Sequence, residues 1–394
     1  MHIVSDSVKK SSHMLLKSIN QQKVLFLIYS EGPISRVELS EKTGLSRQTV
    51  TNIVNRLLEE KIIVVGELID LEAGSGRKRV GLHINSGSFY AIGLELAGKY
   101  IRGQVYNLHQ EAVASAERTI NKYGSVDVLL KLLHEVIDEL ISQVPNTSKI
   151  KGIGISIQGL VDSQHGIVLR TPGIGFHRLR LSQLLEDKYH IPVHIENDVN
   201  LLSVYENMNG SLKESNNNIT IKFDYGTGGA IVHDKQIVAG SNFVAGEFGH
   251  YKGFYGEDAY PCHCGRSGCL TTLASSSGLG VSIKCTLEEF AEGLKTGDAK
   301  FLSLYEKIVD GISIALANII TFINPDSLLM TGRVIHSISP EMFSEIKARV
   351  MHQLPVTVNN VQMMYLYNKP DETKLAAGLV IKRAFEIPLD TLSL

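Results

Sequence analysis

The chain has 394 residues, of which 43% are hydrophobic and 20% charged, with a formal net charge of -2. That is the balance of an ordinary soluble globular protein, long enough for two or three domains with buried cores, and it excludes a global positive field that would draw the molecule to nucleic acid. Any DNA contact must come from a local basic patch.

Near the N-terminus the apolar run Val24–Tyr29 spans only six residues. No secretory core is visible there, and nothing approaches the roughly 18 apolar residues of a membrane span. A cytoplasmic location without a membrane partner is expected. Residues 13–61 have few glycines and apolar positions three and four apart, a helical pattern. Within them Ile34 to Val50 has helix-turn-helix spacing. Ser35 is placed to cap a helix whose Val37 and Leu39 turn inward, Gly44 to take the left-handed turn, and Leu45 to plug the angle between helices. Ser46 then caps a second helix with an apolar face of Val50, Ile53, Val54, Leu57 and Leu58. Together with Ser46, its opposite face offers Arg47, Gln48, Thr49, Thr51, Asn52 and Arg56, side chains suited to base edges and phosphates. A small helical bundle with a solvated face is the plainer alternative.

Two strands follow, Ile62–Ile69 and Val80–Ile84, around the turn-forming Ala73-Gly74-Ser75-Gly76. They read as a wing whose tip, with Arg77, Lys78 and Arg79, would lie against the DNA backbone or minor groove. From Tyr90 onward short apolar strands alternate with amphipathic helices, the signature of an α/β layer architecture. Strands are expected at Tyr90–Glu95, Ile101–Asn107, Ala112–Ile120, Ile150–Ser156, Val193–Ile195, Asn218–Phe223, Gly229–His233 and Ser327–Met330. Helices are expected at Val126–Gln143, Val199–Asn209, about Leu302–Phe322 and Thr373–Phe385. Two similar three-strand openings point to two related lobes around a cleft. The division expected is a winged helix-turn-helix over residues 1–86 and a two-lobed domain over 87–394, with a metal loop at 246–271.

Glu196-Asn197-Asp198 follows a strand and opens a helix. Asn197 and Asp198 either cap that helix or present groups to a sugar hydroxyl. A second polar cluster is Gly246-Glu247-Phe248-Gly249-His250. After eleven intervening residues His250 is followed by Cys262, Cys264 and Cys269, within eight residues of one another. One imidazole and three thiolates close a tetrahedral shell, the composition of a structural zinc site; free buried thiols or a redox pair are the alternatives. His263 between two ligands would be strained as a third, and is expected to point outward. Cys285 stands alone and reads as a core thiol.

These motifs together resemble the ROK family (repressors, open reading frames and kinases), and within it the regulators with an N-terminal winged helix, such as the xylose repressors. The resemblance implies an actin-like, sugar-kinase fold of two lobes. It implies that Asn197, Asp198, Glu247 and His250 contact a sugar, with His250 also on zinc. The family usually has glutamate where this chain has Thr271. Family kinases open with an Asp-x-Gly-Gly-Thr phosphate loop, and here the stretch is Glu95-Leu96-Ala97-Gly98-Lys99-Tyr100. The longer acid, the lost glycine and the missing threonine hydroxyl disfavour phosphate and its magnesium. Tyr225-Gly226-Thr227-Gly228-Gly229 partly keeps a second phosphate loop, or serves a tight hairpin. The expectation is therefore a non-enzymatic repressor of carbohydrate-utilisation genes, with operator DNA and a sugar effector as partners and a homodimer or dimer of dimers as its assembly. An ATP-dependent sugar kinase with an accessory DNA-binding head is the alternative.

Overall fold

The computed structural model describes residues 19–69, 79–120, 125–171, 178–358, 360–369 and 371–385. Residues 19–31 form helix α1, followed by α2 (Arg36–Thr43) and α3 (Arg47–Glu59). The Ser35 side chain accepts from the Glu38 amide, and the Glu38 carboxylate accepts from the Ser35 amide, so two donors that a helix start leaves open are satisfied. Gly44 ends α2 at φ +70°, and Ser46 caps α3 by accepting from the Thr49 amide. Val50, Ile53, Val54 and Leu57 of α3 are buried together with Val24, Ile28 and Leu39, while Leu45, Leu58 and Val37 are only half-buried. The antiparallel strands β1 (Ile63–Ile69) and β2 (Arg79–Ile84) complete a winged helix-turn-helix. The wing turn, Arg77, Lys78 and the side chain of Arg79 lie outside the described residues.

Two mixed sheets follow. The first is built from β3 (Tyr90–Leu96), β4 (Tyr100–Asn107), β5 (Ala112–Thr119), β6 (Ile150–Ile157) and β9 (Val193–Asn197), in the order β5-β4-β3-β6-β9. A short hairpin, β7 (Leu160–Asp162) and β8 (Ile167–Arg170), stands beside it. Helices α4 (Val126–Ser142) and α5 (Leu181–Tyr189) cover this lobe, and α6 (Asp198–Asn209) leads out of it. The second sheet holds β10 (Asn218–Phe223), β11 (Thr227–His233), β12 (Gln236–Ile237), β13 (Ser327–Thr331) and β14 (Gln362–Leu366), in the order β12-β11-β10-β13-β14. Each sheet is three antiparallel strands extended by two parallel ones, so the two three-strand openings are indeed paired lobes.

Around the second sheet lie α7 (Ser276–Ser282), α8 (Leu287–Lys295), α9 (Ala299–Ile323), α10 (Arg333–Ile338) and α11 (Met342–Gln353). Each lobe has its own apolar core. The last helix, α12 (Glu372–Phe385), returns to pack on β3 and β6, and its C-terminal half shares a buried cluster with α1. Among the described residues no helix is long and apolar enough to cross a membrane.

Candidate metal cluster, ligand cleft and DNA-facing helix

His250 ends a short 3-10 turn, Phe248–His250, and Lys252 then pairs with Cys269 to close a loop. Within that loop Gly268 takes φ +73° with its α-carbon pressed on the Phe254 carbonyl, 2.2 Å from where a Cβ would stand. A side chain there would be strained and crowded at once. The loop brings His250, Cys262, Cys264 and Cys269 together, with one ligand atom from each all within 4.8 Å of one another. The Cys264 and Cys269 sulfurs are 3.7 Å apart, and Cys262 Sγ is 3.7 Å from His250 Nδ1. A tetrahedron with Zn–S of about 2.3 Å and Zn–N of about 2.0 Å has edges of about 3.8 and 3.5 Å, so the four groups fit one such ion. Lys252 Nζ sits 3.0 Å from Cys269 Sγ. His263 is exposed as expected, yet its ring packs edge-on to His250 at 5.2 Å.

His250 has a second face. Its Nε2 lies 3.6 Å from Glu247 Oε2, so one imidazole looks toward the sulfurs and toward a carboxylate. Burial, and then the charges of His263, Lys252 and Arg170, hold its pKa below the ordinary histidine value, favouring the neutral form that ligates metals. Burial and the charge of Asp198 push the Glu247 carboxyl up.

Asn197 is first of all a cap. Its Oδ1 accepts from the Val199 and Asn200 amides at the start of α6, and its Nδ2 donates to the Gly159 carbonyl. Asp198 is buried, and its Oδ2 accepts from Lys222 Nζ at 2.7 Å. The same ammonium donates to Glu372 Oε1 at 3.2 Å, and Ser156 donates to Glu372 Oε2 at 2.9 Å. Burial pulls the Lys222 pKa down, but Asp198 and Glu372 outweigh it and the net shift is upward. The sequence reading missed Lys222 and Glu372. The signal available was a lysine inside the otherwise apolar strand Ile219-Thr220-Ile221-Lys222-Phe223, a charge that a buried strand tolerates only when paired.

The two stretches compared with phosphate loops have other work. Glu95 Oε2 accepts from Arg102 Nη2 at 2.7 Å, and Arg102 also reaches Asp371 at 2.7 Å. Asp224 and Gly226 form the turn of the β10–β11 hairpin through a backbone bond of 2.9 Å, which is the tight-hairpin alternative. Thr271, buried, accepts from the Thr227 amide at 3.2 Å and so braces that hairpin.

On α3, Ser46, Arg47, Gln48 and Asn52 are exposed, while Thr49, Thr51 and Arg56 are half-buried. Gln48 donates to Asn52 at 3.1 Å, and Thr51 bonds back to the Arg47 carbonyl at 2.8 Å.

A model of the ROK family matches residues 91–370, more than half of the chain. The chain belongs to the ROK family. A second model, a winged helix-turn-helix DNA-binding domain, matches residues 17–64 of this ROK protein. It is 29% identical over 349 residues to the xylose repressor of Bacillus subtilis, covering 86% of this chain and 89% of that protein. It is 24% identical over 337 residues to the DNA-binding transcriptional dual regulator NagC of Escherichia coli, covering 81% and 82%. Among solved structures it resembles a ROK family transcriptional regulator homologous to the Escherichia coli MLC protein, with a TM-score of 0.78 at 25% identity over 94% of this chain and 97% of that one. A ROK hexokinase from Thermus thermophilus shares the fold of the lobes, with a TM-score of 0.62 at 20% identity over 75% of this chain and 99% of that one.

Proposed function

We propose that this ROK protein is a DNA-binding transcriptional repressor of carbohydrate-utilisation genes, whose operator affinity is set by a sugar held between its lobes. One observation carries the reading: a winged helix with an exposed polar recognition face is joined to a sugar-kinase fold whose phosphate-loop positions are taken by internal ion pairs and a hairpin brace. Arg102, which Asp371 also holds, occupies Glu95, and Lys222 occupies Asp198. An aspartate bonded to a buried ammonium is a recognition group for a hydroxyl rather than a base awaiting ATP.

In this reading Asp198, Glu247 and His250 contact the sugar, and Asn197 adds at most its second amide N–H beyond its capping bonds. His250, Cys262, Cys264 and Cys269 hold a structural zinc ion. With four protein ligands the ion has no open position, so it fixes the loop that carries His250 rather than reacting. Ser46, Arg47, Gln48, Thr49, Thr51, Asn52 and Arg56 face the major groove, and Arg77, Lys78 and Arg79 of the wing reach the backbone or minor groove. A homodimer or dimer of dimers would place two such heads on one operator, and a cytoplasmic location follows from that role. The relatives' names make xylose the first sugar to try.

The test is binding of the full-length protein to a duplex recovered by it from a random-sequence pool, at fixed salt and without ATP, during titration with D-xylose, D-glucose and N-acetyl-D-glucosamine. A severalfold change in DNA affinity with one sugar supports the repressor. If, in a parallel assay with ATP added, a sugar drives ATP consumption while having no effect on DNA binding, a kinase carrying an accessory head replaces it.

A further inference from the structure

The buried ammonium of Lys222 crosses the boundary between the lobes. Lys222 belongs to β10 of the second sheet, whereas Asp198 opens α6 out of the first lobe, and Glu372 is the first residue of α12, seated on the first sheet. All three side chains are at most 11% exposed. Lys369 also pairs with Glu372, and the neighbouring Asp371 is held by Arg102. In a low-dielectric interior the members of such a cluster are coupled, because a carboxylate that loses its cation must find another or take up a proton.

From Glu372 the helix runs 14 residues, about 20 Å, away from the cleft. Its first turns lie backbone to backbone on the first sheet: Cβ atoms at Gly93 and Gly154 would stand 1.8 and 2.0 Å from the carbonyl oxygens of Thr373 and Ala376. Backbone seated on backbone leaves little room for the two ends to move separately. At the far end the Phe385 ring stacks on Tyr29 of α1, with centroids 4.7 Å apart and planes 27° apart, and meets Phe26 edge-on at 6.4 Å. Val380 and Ile381 lie in the same buried cluster as Val24 and Ile28 of the DNA head.

We propose that Lys222 is a positioning residue that ties Asp198 to α12, so that a ligand engaging Asp198 reaches the DNA head through the Lys222–Glu372 pair and the length of that helix. The proposal rests on the sugar reading of the cleft. A hydroxyl bonded to Asp198 changes how the shared ammonium divides between its two carboxylates, and the second of these is the end of a rod whose other end holds α1. Coupling of this kind requires that the connection have two arrangements and that both sites bias the balance between them.

The experiment uses the full-length protein, the selected duplex and whichever of the three sugars shifts it, with sugar binding measured separately by calorimetry. In the wild type the sugar changes DNA affinity by about tenfold or more, within the range usual for coupled sites. In Glu372→Gln and in Phe385→Ala, sugar-free DNA affinity and sugar affinity stay within about threefold of wild type, while the sugar's effect on DNA falls below about threefold. The double variant loses no more coupling than either single one, because both cut the same connection. A Glu372→Gln protein that responds like the wild type, or losses that simply add, overturns the proposal. If Glu372→Gln does not fold, Phe385→Ala decides by the same criterion. A wild type that binds the duplex but ignores all three sugars overturns the effector reading and the coupling with it, whereas a responsive wild type with responsive variants overturns the coupling alone.

Discussion

Replacing Lys222 by methionine removes the cation that bridges Asp198 and Glu372, and the cost can be worked from the contacts. At an effective dielectric of about 20, a contact at 2.7 Å and one at 3.2 Å each carry about 5–6 kcal/mol of gross attraction. Desolvating the ammonium consumes much of this, and removing one partner of a buried pair costs about 3–5 kcal/mol in practice. Glu372 keeps Lys369 and the Ser156 hydroxyl, so the loss falls mainly on Asp198. The pH dependence has a definite sign. The folded pKa of Glu372 lies below its ordinary 4.5; burial opposes this, and Lys222 and then Lys369 outweigh it. Its contribution is therefore complete above that value and is lost as the pH falls through the lower folded pKa. Lys222 is shifted above its ordinary 10.5, so its share is complete below that value and is lost only at higher pH. The wild-type cluster thus stabilises fully across neutral pH. Lys222→Met should show its whole deficit at pH 7.5 and a smaller one near pH 5, where a carboxylate without its cation takes up a proton. The chain has no tryptophan, so urea unfolding followed by far-UV circular dichroism at the two pH values is the assay. A deficit below about 1 kcal/mol, or one equal at both pH values, refutes the view that the ion pairs rather than side-chain packing hold this place.

Gly154→Ala would drive a Cβ onto the Ala376 carbonyl and should cost about 1–3 kcal/mol, whereas Gly98→Ala, with nothing within 4 Å, should change stability by less than about 0.5 kcal/mol; thermal unfolding of the two variants decides. Purified protein should carry about one zinc ion per chain by atomic emission, and Cys269→Ser should lower this sharply and open the loop to trypsin at Lys252 or Arg266. Equal metal content in the two proteins would show that Cys269 is no ligand. Arg47→Ala should weaken the selected duplex by about 1–3 kcal/mol at fixed salt, while Lys188→Ala, far from the head, should leave it within about 0.5 kcal/mol, both read by fluorescence anisotropy.

The fold was legible wherever a local rule acts alone. Ser35, Gly44 and Ser46 mark helix ends through bonds made within a few residues, and the observed ends fall on them. The expected strand Asn218–Phe223 matches β10 residue for residue, and the other expected strands and helices lie within about three residues of those observed. Helices α5, α7, α8, α10 and α11 and strands β7, β8, β12 and β14 were not read. All are short except α11, and α7 contains Gly278 and Gly280, so neither propensity nor a long apolar period announces them. The cluster of His250, Cys262, Cys264 and Cys269 was legible because its members are close in sequence. The Lys222–Asp198–Glu372 cluster was not, because its members stand 24 and 150 residues apart and only the sheet order brings them together.

The same distinction bears on how a kinase-like cleft serves a sensor. A phosphoryl-transfer site needs a mobile proton acceptor beside the sugar and an uncluttered loop for the phosphates. In this chain the aspartate has a fixed ammonium on one oxygen, and the acid on the first hairpin is spent on Arg102. In the proposed reading both groups are parts of the wall rather than groups that act on a substrate, and both are linked to the start of α12 through Glu372 and Asp371. In the same reading a zinc ion in the loop would add rigidity from the other side, since His250 faces Cys262 Sγ with one nitrogen and Glu247 with the other. In the proposed reading, the residues that disarm catalysis are therefore also those that connect the ligand to the head. That economy requires Lys222 and Arg102 to be more than blockers: removing either should change how the head responds to a sugar, and not only whether ATP is consumed.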